Sequence, residues 1–182
     1  MQTFKSASLG FSISYPDTWQ LVPAAWTRQF IGRAKNTSEK LAEYLAAGSP
    51  PFLAVQDPHV PAGLAIPALK CQAYSSAAIA NAGGLGVVLG NVVDRMNEAF
   101  PDFELHEFSP ECVLAGSIGG RLTASMSVIN SEGESYKGHS ELLFLPTSYY
   151  VFAVGLSATA DLAYRPEEAL SSIKRSIRLR SS

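Results

Sequence analysis

Charge is scarce in this chain of 182 residues. Only 16% of the residues are charged, and the formal net charge is -2 at pH 7. So small a net charge creates no long-range field that would concentrate phosphate groups around the protein. Nucleic acid and anionic membrane surfaces are therefore not expected partners.

Long apolar runs are also missing. Gly, Pro or charged residues interrupt every apolar stretch well before the roughly 18 residues that a membrane-spanning helix requires. Residues 1–8 lack the apolar core of a secretory signal peptide. We therefore expect no membrane span and a cytoplasmic location.

Residues that bind metals or form disulfides are few and widely separated. Cys71 and Cys112 are the two cysteines, and they predict free, buried thiols in preference to a bridge. The three histidines, His59, His106 and His139, have no His or Cys partner at ligand spacing. No metal site and no cofactor are predicted.

Three segments of the sequence resemble parts of catalytic or cofactor-binding motifs, and each departs from its motif. The segment 83–86, Gly-Gly-Leu-Gly, precedes a helical pattern but does not continue as a dinucleotide-binding or phosphate-binding motif. The segment 115–119 lacks the residue between glycine and serine that a nucleophile elbow needs. His106 and Glu107 begin a zinc-protease pattern, but Pro110 would break the required helix. We assign no catalytic, cofactor-binding or metal-binding residue and expect no enzyme.

Hydrophobic residues are abundant, at 47% of the chain. That content excludes disorder driven by low hydrophobicity. At this length a domain buries roughly 70% of the surface of its unfolded chain, so a substantial core is possible. The sequence therefore predicts one folded domain spanning residues 1–182.

Two helical patterns are strong. Seven apolar residues recur at helical spacing over residues 84–100, which predicts a helix lying on a sheet. Pro166, two following glutamates and a basic end predict a terminal helix over residues 166–178. A shorter helix is predicted over residues 37–47. The prolines of residues 50–67 predict an edge strand followed by an extended loop.

Strand patterns predict a meander. Residues 11–15 alternate in polarity, and Trp19 just after them is expected to fill the end of the core. Residues 121–128 and 136–144 also alternate across a turn at residues 130–133. The run 149–156 is apolar on both faces, which predicts a central strand covered on both sides.

The chain resembles the PsbP-like family in two segments and in the order of its elements. The segments are Phe-Ser-Ile-Ser-Tyr-Pro-Asp-Thr-Trp at 11–19 and the ending Ser-Ile-Lys-Arg-Ser-Ile-Arg-Leu at 172–179. This family includes the Ran-binding Mog proteins and bacterial DcrB-type proteins. The resemblance implies an α+β fold in which helices flank a central antiparallel β-sheet on both faces, an α/β/α sandwich. It implies no reaction.

Two functional hypotheses follow. The first is a non-catalytic protein-binding accessory module, such as a cytosolic chaperone or assembly factor, with another protein as its partner. The second is a small-ligand-binding protein or an enzyme whose pocket is walled by aromatic residues, with candidates Trp19, Trp26, Phe30 and Tyr44. An exposed apolar patch would favour the first hypothesis, and a deep pocket with convergent polar groups would favour the second.

Overall fold

The structure is a computed structural model that describes residues 1–23, 50–61, 63–129 and 134–180. Its strands, in chain order, are β1 (Gln2–Ser6), β2 (Phe11–Tyr15), β3 (Gln20–Leu21), β4 (Leu53–Gln56), β5 (Ala68–Ser75), β6 (Glu104–Leu114), β7 (Ser117–Ile129), β8 (Ser135–Pro146), β9 (Tyr150–Thr159) and β10 (Arg178–Leu179). Its helices are α1 (Ser76–Asn81), α2 (Leu85–Ala99) and α3 (Glu167–Ser176). Within these residues, no helix is long and apolar enough to cross a membrane.

Seven strands form the larger sheet, in the order β3-β4-β5-β9-β8-β7-β6. Every neighbouring pair is antiparallel. Strands β7, β8 and β9 confirm the predicted meander, and β9 lies in the middle of the sheet, between β5 and β8. The α+β class is likewise confirmed, with antiparallel sheet as the dominant component.

A smaller sheet, in the order β1-β2-β10, joins the two ends of the described chain. In β2, alternate residues Phe11, Ile13 and Tyr15 are buried, as their spacing predicts. The N–H of Ser14 donates to Oγ of Ser176 at the end of α3 (2.8 Å). The small sheet and α3 therefore form one packed unit.

The core consists of two hydrophobic clusters that draw on alternate residues of β9. The α3-side cluster includes Phe152 and Val154 together with Ile13 of the small sheet and Leu170 and Ile173 of α3. Trp19 is 3% exposed in this cluster, which confirms its predicted core position.

The α2-side cluster includes Val151 and Ala153 together with Leu89 and Met96 of α2. Side chains of successive strand residues point to opposite faces of a sheet. This alternation explains why neighbours in β9 belong to different clusters.

Both strong helical predictions are confirmed as α2 and α3, with one difference at an end. The helix predicted over 166–178 stops at Ser176, because Arg178 and Leu179 pair with Ser12 and Phe11 as strand β10. Pairing with β2 satisfies backbone groups that another helical turn would have bonded internally.

Three parts of the chain differ from the predictions or cannot be compared with them. The helix predicted over residues 37–47 lies outside the described residues. Strand β4 is not at the edge of the sheet, because the two residues of β3 pair with its outer side. Strand β6 was not predicted at all. Its alternation is broken by register irregularities between Leu105 and Glu107 and between Ser109 and Cys112.

Candidate binding surface

A groove runs between α3 and the β6–β8 part of the larger sheet, on the face that carries the α3-side cluster. It consists of two adjoining clefts, with volumes of about 240 Å³ and about 390 Å³. Arg121, Glu141 and Lys174 line both clefts. These three side chains therefore form a bridge that divides the groove.

Glu141 is the centre of this bridge. Its side chain is only 9% exposed, and it lies on β8 between the buried face of the sheet and α3. Lys174 Nζ donates to Glu141 Oε2 (2.8 Å), and Arg121 Nε lies 2.9 Å from Oε1. Both oxygens of a buried carboxylate are thus compensated, as burial of a charge requires.

Arg121 is placed by strand register. On β7 it stands opposite Leu143 of β8, and it also approaches Glu107 of β6, with 3.3 Å between Nη1 and Oε2. The Arg121 Nε–H does not point at a described acceptor, so its contact with Glu141 is an ion pair without a well-aligned hydrogen bond. Arg121 therefore links strands β6 and β8 electrostatically.

The smaller cleft carries balanced charges. Arg165 is 14% exposed on its side chain, and its Nε lies 2.6 Å from Glu167 Oε1. His139 is half-buried, and its ring stacks on that of His106 with centroids 6.1 Å apart. Burial, followed by the nearby charges of Arg165 and His106, lowers the pKa of His139, whereas Glu141 and Glu167 raise it. His139 is consequently neutral at neutral pH.

The larger cleft is cationic. Glu141 is the one acidic side chain among its lining residues, and four lining residues are basic, namely Arg121, Lys174, Arg175 and Arg178. Arg178 Nη1 donates to the carbonyl oxygens of Arg175 (2.6 Å) and Ile177 (2.8 Å), so its guanidinium is held along the end of α3. Leu114, Leu143 and Leu145 contribute apolar walls.

The β6–β7 hairpin forms one end of the groove. Its turn consists of Ala115 and Gly116, both with positive φ (48° and 82°), as two-residue hairpins with this twist require. Leu114 and Ser117 flank the turn, and the next pair, Val113 with Ile118, is 78% and 69% exposed. The hairpin therefore presents an apolar tip to solvent.

This tip continues along β6 as a stripe of exposed apolar residues. We define the edge stripe as Leu105, Phe108, Val113 and Ile118. The β7 partners of Leu105 and Phe108 are Ala124 and Leu122, which belong to the α2-side cluster, and Ile118 lies on the same face as Leu122 by strand alternation. Leu105, Phe108 and Ile118 thus lie on the face opposite the groove, whereas Val113 at the hairpin tip also lines the larger cleft.

Strand β6 is at the edge of the sheet. An edge strand exposes unpaired backbone groups that can recruit another strand. In β6, the two register irregularities interrupt that row of groups, and Pro110 lies within the second of them. A partner would therefore contact this edge mainly through side chains.

The structure brings together two of the three histidines noted in the sequence. His106 lies in the β6 strand, where its Nε2 is 2.6 Å from Ser125 Oγ, and not in the helix that a zinc-protease motif would need. His139 lies on β8 and lines the smaller cleft beside α3. His59 lies elsewhere, in a turn closed by Asp57. Among the described residues, no three His, Cys, Asp or Glu side chains are grouped as metal ligands.

Both cysteines are free thiols. Burial raises the pKa of Cys71 in β5 to about 12. Burial is also the largest influence on Cys112 in β6, whose pKa is raised despite the opposing effect of Arg121. Neither thiol is an activated nucleophile at neutral pH.

The groove residues Arg121, Glu141 and Lys174 were not identified as a site from the sequence. Glu141 and His139 share a strand face, but no spacing rule connects them with residues on α3 or β7. Of the aromatic residues considered as pocket walls, Trp19 is buried in the core. Trp26, Phe30 and Tyr44 lie outside the described residues.

No known family profile matches this sequence, and no curated protein matches it. Solved structures do resemble its fold. Cyanobacterial PsbP (CyanoP) from Synechocystis sp. PCC 6803 is 12% identical, with a TM-score of 0.60 over 98% of this chain and 92% of that chain. LpqN of Mycobacterium tuberculosis, described as involved in cell envelope biogenesis, is 16% identical, with a TM-score of 0.48 over 93% of this chain and 82% of that chain.

A structure from Bacteroides thetaiotaomicron is 10% identical, with a TM-score of 0.47 over 99% of this chain. The present chain spans about half of that one, 48% of its length. The similarity to CyanoP shows a PsbP-like fold, as the sequence resemblance implied. At these identities the similarity concerns the fold alone.

Proposed function

We propose that this chain is a non-catalytic accessory module that binds another protein. The observation that supports this most strongly is the edge stripe, where four large apolar side chains are exposed along one edge of the sheet and its hairpin tip. Single exposed apolar residues are ordinary, but several of them along one strand and its hairpin are typical of an interaction site. A chaperone or assembly factor would use such a surface.

The groove supports a binding role over a catalytic one. Its buried carboxylate is compensated by two cations, and burial, followed by the charges of Arg165 and His106, lowers the pKa of its His139. The smaller cleft, at about 240 Å³, is below the usual size of small-molecule pockets and is lined mainly by charges that pair with one another. The larger cleft, at about 390 Å³, is near the lower end of that range, and basic side chains predominate over acidic ones in its lining. We therefore favour the accessory module over a small-ligand-binding protein or an enzyme.

We also propose that helices cover both faces of the larger sheet, in an α/β/α sandwich. The division of β9 between the α3-side and α2-side clusters supports this arrangement. A rigid, doubly covered sheet would hold the edge stripe in a fixed geometry for docking. A cytoplasmic location also belongs to the proposal, and fractionation of the source cells tests it.

The partner-binding role can be tested with matched serine variants. Val113→Ser combined with Ile118→Ser removes the apolar hairpin tip, whereas Leu21→Ser removes an apolar residue that is 67% exposed at the opposite edge of the sheet. Tagged proteins would be purified from source cells, and the co-purifying proteins quantified by mass spectrometry. We expect a stoichiometric protein partner with the wild type and Leu21→Ser, and its loss with the double variant.

Two results would contradict the proposal. One is the absence of any stoichiometric partner with the wild type. The other is equal retention of the partner by the double variant and by Leu21→Ser. Thermal melts of all three proteins should agree closely, because each substituted side chain is largely exposed and contributes little to the core.

A further inference from the structure

We infer that the groove between α3 and strands β6–β8 binds an acidic, extended segment of a partner protein. This inference rests on the proposed function and adds the chemistry of the partner. It comes from the distribution of charge in the groove, a surface that shares only Val113 with the edge stripe.

The groove is positively charged in a protein that is negative overall. Its two clefts are lined by five basic and three acidic side chains, namely Arg121, Arg165, Lys174, Arg175 and Arg178 against Glu107, Glu141 and Glu167. The whole chain has a formal net charge of -2. The groove is therefore a surface that attracts an anionic group, although the chain as a whole is negative.

The larger cleft has basic groups that remain available to a partner. Arg175 and Arg178 donate to backbone carbonyls, and neither forms an ion pair with a carboxylate within the described part of the chain. Arg175 and Arg178 are also exposed. Guanidinium groups bind carboxylates through paired hydrogen bonds, so side-chain carboxylates suit this end of the groove.

The remaining lining favours a peptide over a uniform polyanion. Glu141 borders both clefts, and Glu107 and Glu167 line the smaller one, so a nucleic acid with a charge on every unit would meet repulsion along the groove. A peptide can place its carboxylates at Arg175 and Arg178 and an apolar residue at Leu114. The charged and apolar walls of the groove are thus complementary to a peptide that contains both acidic and apolar residues.

Geometry also connects the groove with the edge stripe. Val113 belongs to the edge stripe and lines the larger cleft as well. A partner whose apolar residues contact the hairpin tip is therefore positioned to send an adjacent extended segment into the groove. Such joint contacts raise overall affinity because the second contact becomes intramolecular.

The test uses the purified full chain and a fluorescein-labelled peptide of alternating Glu and Val residues, with binding followed by fluorescence anisotropy. We expect saturable binding that weakens as salt is added, because surface charge interactions are screened. Replacing Arg175 and Arg178 together by Gln should weaken binding about fivefold, as expected for the loss of two exposed ion pairs.

Two further variants separate the groove from general charge effects. Arg95→Gln removes an exposed cation on α2, away from the groove, and should leave the affinity unchanged. Glu141→Gln removes the carboxylate that competes for Lys174 and Arg121, and should strengthen binding about threefold. Circular dichroism melts establish that each variant is folded at the assay temperature.

Three results would overturn the inference. The first is that the Glu-Val peptide shows no saturable binding, and the second is that Arg95→Gln weakens peptide binding as much as the Arg175/Arg178 double variant does. The third is that a labelled single-stranded oligonucleotide binds more tightly than the Glu-Val peptide. An unchanged affinity in Glu141→Gln also counts against it. If the edge-stripe variants lose their protein partner while the peptide does not bind, only this inference fails. If the peptide binds as expected and no partner depends on the edge stripe, the proposed docking surface fails instead.

Discussion

Lys174 Nζ and Glu141 Oε2 lie 2.8 Å apart, although the two residues are separated by 33 positions in the chain. Lys174 is in the last turn of α3, and Glu141 is in β8. The pair therefore fastens the end of the terminal helix to the middle of the meander. Because Glu141 is buried, this contact compensates a charge that has little access to water.

Replacing Lys174 by Gln is expected to destabilise the fold by about 1–2 kcal/mol, because Glu141 would keep Arg121 as its one described cationic partner. Arg175→Gln is the matched control, since Arg175 is exposed and contacts a backbone carbonyl. Urea unfolding measures the free energy of unfolding of both variants. Equal stability of the two variants would show that the Lys174–Glu141 contact contributes no more than a surface interaction.

Val151 and Phe152 test whether β9 is covered on both faces. Asp at either position would bury an unpaired charge in one of the two clusters and should cost about 3 kcal/mol or more. Tyr149→Asp provides the control, because Tyr149 precedes β9 and is 72% exposed. Thermal melts distinguish the outcomes. A near-native midpoint for Val151→Asp or Phe152→Asp would refute the double cover.

His139 should make stability sensitive to mild acid. Its folded pKa is lowered below the ordinary value near 6.5, so the unfolded state binds more protons as the pH falls through that value. As far as His139 is concerned, the free energy of unfolding therefore has its full value above about pH 6.5 and decreases below it. Glu141 and Glu167 oppose the lowering by burial, Arg165 and His106.

Urea unfolding of the wild type and His139→Gln between about pH 7 and pH 5 measures this effect. The wild type should lose more stability than His139→Gln over this range. His59→Gln, altered at an exposed histidine, should keep the pH dependence of the wild type. Parallel curves for the wild type and His139→Gln would contradict the assignment.

The two cysteines should differ in reactivity. Cys71 is fully buried with a pKa of about 12, so an aromatic disulfide reagent should not modify it in the folded protein. Cys112 is half-buried and should react slowly. After unfolding in denaturant without reductant, both thiols should react with the reagent. Cys112→Ser should abolish the reaction of the folded protein, and a titration of zero thiols in denaturant would instead indicate a bridge.

Local patterns in the sequence determined most of the secondary structure. The apolar spacing of residues 84–100 predicted α2, and alternation predicted β7 and β8, because side-chain periodicity directly reflects which face of an element is buried. Trp19 was placed in the core for a different reason, the large area that an aromatic ring just after a strand can bury. The resemblance in two short segments and element order was sufficient for the PsbP-like fold.

Tertiary structure alone decided the groove, the edge strand and the end of the terminal helix. Strand register and helix packing bring Arg121, Glu141 and Lys174 together. The spacing of residues along the sequence predicts neither the register nor the packing. Strand β6 is held by pairing with β7 despite its two irregularities, which conceal its alternation in the sequence. The last residues become β10 because β2, near the start of the chain, offers free backbone partners. Interactions between distant segments determine these features, and a single sequence carries no direct record of such distances.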